Sequence, residues 1–186
     1  VGYLLRPGFT LPPLMFSADE LEALSLGARW VSLQGDAQLA QAAQAAMAKI
    51  ASSLPAETRL ALDTMGLLVP RPPSAVPDEP WQPALREAIR SQRKLRLHYC
   101  DANGQVSQRV VWPVAMAFFH SSRVLTAWCE LREDFRHFRA DRVQALEPLH
   151  EAYPVMRHVL LAQWRAQLNE AARCAMSGVD DGGTVG

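Results

Sequence analysis

The chain has 186 residues, 49% of them hydrophobic, 20% charged and 8% aromatic, with 19 basic residues balancing 19 acidic ones. That composition excludes a disordered, collagen-like or disulfide-framework protein, and no apolar run reaches the ~20 residues of a membrane-spanning helix. The zero net charge hides an asymmetry. Residues 86–142 hold eleven basic and six acidic residues, so the excess of acids lies elsewhere, and all basic residues but Lys49 and Lys94 are arginines. A planar guanidinium fork suits phosphate and carboxylate, which points to an anionic partner, whereas local Arg–acid pairing accounts for the same residues without one. The three cysteines, Cys100, Cys129 and Cys174, are widely spaced and read as reduced thiols of a cytoplasmic protein.

In chain order, residues 1–14 contain Pro7, Gly8, Pro12 and Pro13 and read as a strand end entering an extended linker. There is no initiator Met and no leader pattern, so the expectation is a fragment of a longer polypeptide. Residues 15–65 read as three helices. Ser17 and Glu20 have capping-box spacing, and an apolar stripe follows to about Leu33. Gly35-Asp36 closes this helix and caps an Ala/Gln-rich second one ending near Ser52, with Leu39, Ala43, Ala46, Met47 and Ile50 on its apolar side. Pro55 opens a short third helix to about Met65. Residues 66–80 hold five prolines and mark a linker.

Beyond it the pattern changes. A helix over 83–92 precedes a clean alternation, with Leu95, Leu97 and Tyr99 on one face and Lys94, Arg96 and His98 on the other. A hairpin turn follows at Asp101-Ala102-Asn103-Gly104. Further β-rich runs cover 106–112, 114–120, 124–131 and 135–146. One helix followed by about five short strands predicts a small antiparallel β-barrel over residues 81–150, with Phe135, Phe138 and Val143 lining it. Residues 151–176 read as a final helix and 177–186 as a disordered Gly/Asp-rich tail. The fold class is therefore α+β.

Catalytic and metal chemistry have little support. The five histidines show no HExxH or CxxC context, and neither a phosphate-binding Gly loop nor a GxSxG elbow occurs, so no enzyme activity, cofactor or metal is expected. Cys129 and His137 form a formal nucleophile–base pair, but a Cys in an apolar strand is ordinarily a packed small residue. Arg132, Arg136, Arg139 and Arg142 recur within eleven residues, with Arg109 on a neighbouring run. Strand parity puts Arg136 and Arg142 on one face and His137 and Arg139 on the other.

The run Gln108-Arg109-Val110-Val111-Trp112-Pro113, followed by Leu125 to Val143 with its C-E-L-R-x-D-F-R-x-F-R-x-D-R core, closely resembles the signature of WYL-domain transcriptional regulators with a DeoR-like winged-helix N-terminus. The resemblance extends over residues 1–35 and 85–147, where 1–14 would be the end of the winged-helix wing. It implies an Sm-like or SH3-like barrel that senses a nucleic-acid or nucleotide effector and modulates DNA binding by a winged helix lying outside this chain. Arg109, Arg136, Arg139 and Arg142 fall on the family's recurrent arginines, beside His137, and Trp128 falls at an aromatic position able to stack or pack. The naming tripeptide falls on Arg123-Val124-Leu125, so both aromatics are absent and Arg123 adds a positive charge. The ligand site so implied is Arg109, Arg123, Trp128, Arg136, His137, Arg139 and Arg142. A homodimer is expected and no membrane association. The alternative is a dimerisation or protein-interaction module with no ligand of its own.

Overall fold

The computed structural model describes residues 15–70, 79–119 and 122–177, the last seven as backbone only. The expected wing and linker over 1–14, most of the Pro-rich linker and the tail from 178 lie outside these residues. The chain divides into two compact units, residues 1–70 and 71–186.

The first unit is helical: α1 (Ala18–Gln34), α2 (Ala37–Ser52) and α3 (Ala56–Asp63). The capping box forms as expected. Glu20 N–H donates to Ser17 Oγ at 3.3 Å, and Ser17 N–H donates to Glu20 Oε2 at 2.7 Å. Asp36 caps α2 by accepting from Leu39 N–H at 3.0 Å. A Cβ on Gly35 would stand 2.7 Å from the Val31 carbonyl oxygen, so the tight corner between α1 and α2 requires glycine. Packing here is thin, because Leu21 and Leu62 are the only apolar residues buried among those described and α2 buries none.

The second unit starts with α4 (Gln82–Ser91) and continues through β1 (Arg93–Cys100), β2 (Val106–Phe118), β3 (Arg123–Cys129), β4 (Asp134–Arg139), a 3-10 turn (Ala140–Arg142), β5 (Val143–Ala152) and α5 (Arg157–Ser177). Gln92 ends α4 in the left-handed region (φ 55°), turning the chain into β1. The predicted alternation of β1 holds, with Leu95, Leu97 and Tyr99 buried. In the hairpin, Asp101 Oδ1 accepts from Asn103 and Gln105 N–H (2.8 and 2.9 Å), and Gly104 takes φ +78°.

The strands pair antiparallel in the order β4-β3-β2-β1-β5. The expected closed barrel is not formed, since β4 and β5 are the two edges and do not pair with each other. The sheet is nevertheless strongly curled. In a flat sheet the edges would stand about 19 Å apart, yet the link from Arg139 to Val143 spans at most about 14 Å. The two runs expected at 106–112 and 114–120 are one strand with a bulge between Pro113 and Ala115. Pro113 is tolerated in this central strand because the β1 ladder stops at the Leu95–Val111 pair, leaving no donor to be missed on that side. The single run expected over 135–146 is instead divided by the 3-10 turn.

Each face of the sheet carries its own apolar cluster. Leu95, Leu97, Tyr99, Val111, Leu125, Ala127, Cys129 and Phe138 pack with Leu85 and Ala88 of α4 and its N-cap Trp81 on one face. Val114, Phe135, Tyr153 and Leu160, with half-buried Trp112, Trp128 and Trp164, join α5 to the other. Phe135 and Phe138 therefore line opposite faces, correcting the expectation of one lining, because residues three apart in a strand differ in parity. Leu97, fully buried in the first cluster, should cost about 2–5 kcal/mol when changed to Ala, whereas Leu131→Ala at an exposed turn should stay within about 0.5 kcal/mol. Urea unfolding of the two variants checks this, and equal effects would refute the assignment of the core.

Candidate functional site

The expected site residues fall into three groups. Arg136, His137 and Arg139 lie on β4 and Arg142 in the turn that follows, along one edge of the sheet. Arg109 lies on β2 opposite Leu97, on the α4 face, with its Nε 3.2 Å from Ser107 Oγ. Arg123 starts β3 and is buried (3% exposed), its guanidinium carbon 5.9 Å from the centre of the Phe118 ring. Trp128 projects from the α5 face and is packed on two sides, against Trp112 (6.0 Å, stacked) and edge-on to Phe135 (5.2 Å).

The edge strand is held from behind by two contacts. Arg139 N–H donates to the Tyr99 hydroxyl at 3.3 Å, and that ring packs edge-to-face on Phe138 at 5.1 Å. His137 Nδ1 stands 3.1 Å from the buried Thr126 hydroxyl, and its ring lies 6.1 Å from Trp164 of α5. As parity predicts, Arg136 and His137 point to opposite faces. Strand parity does not extend to Arg142, because the 3-10 turn ends the strand before it.

Two of the arginines have carboxylate partners. Arg139 makes a bidentate contact to Asp141 (3.0 and 2.8 Å), and Arg136 lies 3.5 Å from Asp134. The contact from Arg139 holds the Asp141 carboxyl below its ordinary range and raises the guanidinium in return. These four side chains are 40–51% exposed, where such pairs are worth only about 0–1 kcal/mol. Arg109, Arg132 and Arg142 make no ion pair among the described residues. The edge thus presents two arginines in exposed local ion pairs and Arg142 in none among the described residues.

Cys129 is fully buried on the α4 face while His137 lies on the other, so the two do not meet. Among the described residues no three His, Cys, Asp or Glu side chains gather as metal ligands, and no helix is long and apolar enough to cross a membrane.

A polar cluster on the α5 face was missed by sequence reasoning. Lys94 of β1 meets Glu130 at 2.8 Å and Glu151 of β5 at 3.1 Å, and Trp112 Nε1–H donates to Glu130 Oε1 at 2.7 Å. The strand alternation placed Lys94 on this face, but its partners are 36 and 57 residues away and become neighbours only through the register. The cluster ties β1, β2 and β5 to the turn after β3.

Residues 81–148 match the WYL domain family, so this domain coincides with α4 and most of the sheet. The chain is also similar to proteasome accessory factor B/C (PafBC) of Arthrobacter aurescens at 28% identity, over 77% of this chain and 22% of that one, with a TM-score of 0.38.

The polar cluster sets a pH dependence. Burial pushes the Glu130 carboxyl up, but hydrogen bonds from Lys94 and Trp112 outweigh it and hold the group below its ordinary value. Hydrogen bonds from Glu130 and Glu151 raise Lys94. The Glu130 contribution is therefore present at neutral pH and lost as pH falls through its folded-state titration, while that of Lys94 is lost only as pH rises past the usual lysine range. Glu130→Gln should lower stability by about 1–2 kcal/mol at pH 7, a difference that shrinks toward zero as the pH falls below the ordinary glutamate range. Thermal unfolding of both proteins across pH 2–8 tests this, and a difference that stays constant to the acid end would refute it.

Proposed function

We propose that the WYL-domain unit is a ligand-sensing regulatory module of a transcriptional regulator, that it is not an enzyme, and that it binds an anionic effector along the β4 edge. The match to the WYL domain supports a regulatory sensing role. The observation that carries the anionic reading is the gathering of Arg136 and Arg139 on the edge strand β4 and Arg142 in the turn after it, the first two with carboxylate partners too exposed to hold them firmly.

Single-stranded nucleic acid or a nucleotide is the ligand class this arrangement favours. Guanidinium groups take phosphates, and His137 at the same edge offers a ring for a base. In this reading Arg109 and Arg132 add to the field, Trp128 and Arg123 support the edge from the interior, and no metal or cofactor takes part. The sensing event controls a DeoR-like winged-helix head that contacts DNA, in a cytoplasmic homodimer.

A second reading, an interaction module without a ligand of its own, draws on the helical unit. Its α2 buries no residue, and Leu24, Leu60 and Leu68 are exposed. In that reading the helices form the dimer interface and the sheet only spaces the partners.

Titration of labelled single-stranded oligonucleotides and cyclic nucleotides at two salt concentrations tests the first reading. Affinity should fall steeply with salt. Arg136→Ala and Arg139→Ala should each weaken binding by roughly 3- to 10-fold without unfolding the domain, whereas Asp141→Asn, which frees Arg139, should strengthen it. Absence of binding to any of these at low salt would sink the proposal and leave the interaction module.

A further inference from the structure

The helical unit contains a cleft of about 790 Å³ between α1, α2, α3 and the segment 64–70 that follows α3. That volume lies within the ~300–1,000 Å³ typical of small-molecule sites. Its walls are mostly apolar, with Leu33, Met47, Leu62 and Met65 among them. Five polar residues interrupt this lining, Ser32 and Gln44 among them, and the other three set its chemistry. Ser25 is more than nine-tenths buried (7% exposed), yet its hydroxyl has no hydrogen-bond partner among the described residues. Arg29 uses one N–H to hold the Leu67 carbonyl at 2.6 Å and has further donors to offer. Asp63 sits at the exposed rim without an ion-pair partner among the described residues.

We propose that this cleft binds an amphipathic organic monoanion, a medium-chain carboxylic acid or a molecule of that chemistry, with its head group on Arg29 and Ser25 and its apolar body against the leucines and methionines. The apolar body answers a shortage of burial. A unit whose described apolar residues include only two buried ones lacks a core of its own, and a ligand in the cleft would cover Met47, Leu33 and Met65. The head group follows from charge. Arg29 is the one cation in the lining, and the Ser25 hydroxyl, one helical turn before it on α1, offers a second donor to an acceptor such as a carboxylate. Asp63 at the rim repels a second negative charge, which selects a monoanion over a dicarboxylate or a phosphorylated ligand. The site is separate from the β4 edge and its proof or failure leaves that reading untouched.

Dodecanoate and 1-dodecanol, titrated into the full 186-residue chain by calorimetry below the micellar concentration of the acid, test the proposal. Dodecanoate should bind once per chain, about tenfold more tightly than the alcohol, and Arg29→Gln should abolish that preference. Ala48→Phe, which places a ring in the cleft from an exposed position on α2, should weaken both ligands by at least about tenfold with helical circular dichroism unchanged. Should Arg29→Gln loosen the segment it anchors, Ser25→Ala still separates the two ligands, weakening the acid more than the alcohol. The proposal is overturned by an absence of saturable dodecanoate binding, by equal affinity for acid and alcohol, or by unchanged affinity in folded Ala48→Phe. It is likewise overturned if Ala48→Phe instead abolishes a concentration-dependent dimer in a chain that binds neither ligand, since the cleft then belongs to a second copy.

Discussion

Three residues, Ala140 to Arg142, carry the chain from one edge of a five-stranded sheet to the other. Such a link cannot cross a flat sheet, so the strands must curl until β4 and β5 approach. Curling gives the sheet an inside and an outside, and the two apolar clusters sort accordingly, one closed by α4 and the other by α5. The same turn leaves β4 as an edge on which Arg136, His137 and Arg139 reach solvent beside the buried Tyr99–Phe138 contact. The exposure of Arg136 and Arg139 is therefore a consequence of the topology as much as of their charge.

The ion pairs of the second unit differ in what surrounds them. Lys94 and Glu130 are partly withdrawn from water, share Trp112 and Glu151 as partners, and join strands distant in sequence. They act as structure. Arg139 and Asp141 are two residues apart and half exposed, so their contact is local and weakly held. A neutral chain can in this way keep some charges committed and others exchangeable, and the net charge of zero says nothing about which are which.

Much of this was legible in the chain. The capping box at Ser17 and Glu20, the alternation of β1 and the Asn-Gly hairpin depend on near neighbours, and each formed as local chemistry dictates. The candidate site was also chosen from the chain alone, because a dense arginine run with interleaved phenylalanines is a local feature. What could not be read was their company. The expectation of a closed barrel failed on how the edges meet, a matter of register. The break at Pro113 became a bulge because the adjacent ladder had already ended, which the residue itself does not reveal. Arg123, read as an added positive charge at the ligand site, lies buried against Phe118, since its place is set by the strand to which it pairs. The Lys94 cluster needed three strands aligned before its members met.

Gln92 lies where α4 gives way to β1, and it also holds the C-terminal region. Its backbone carbonyl accepts from Tyr153 N–H at 3.2 Å, and its side-chain oxygen accepts from Arg157 N–H at 2.8 Å, the latter a separation of 65 residues. Tyr153 and Arg157 in turn reach the carbonyls of Pro113 and Val114, the stretch of β2 that β1 leaves unpaired. The earliest corner of the domain is thus completed by its latest segment. During synthesis that corner stays unsealed until the start of α5 has cleared the ribosome, because the partner of the Gln92 side chain lies 65 residues downstream.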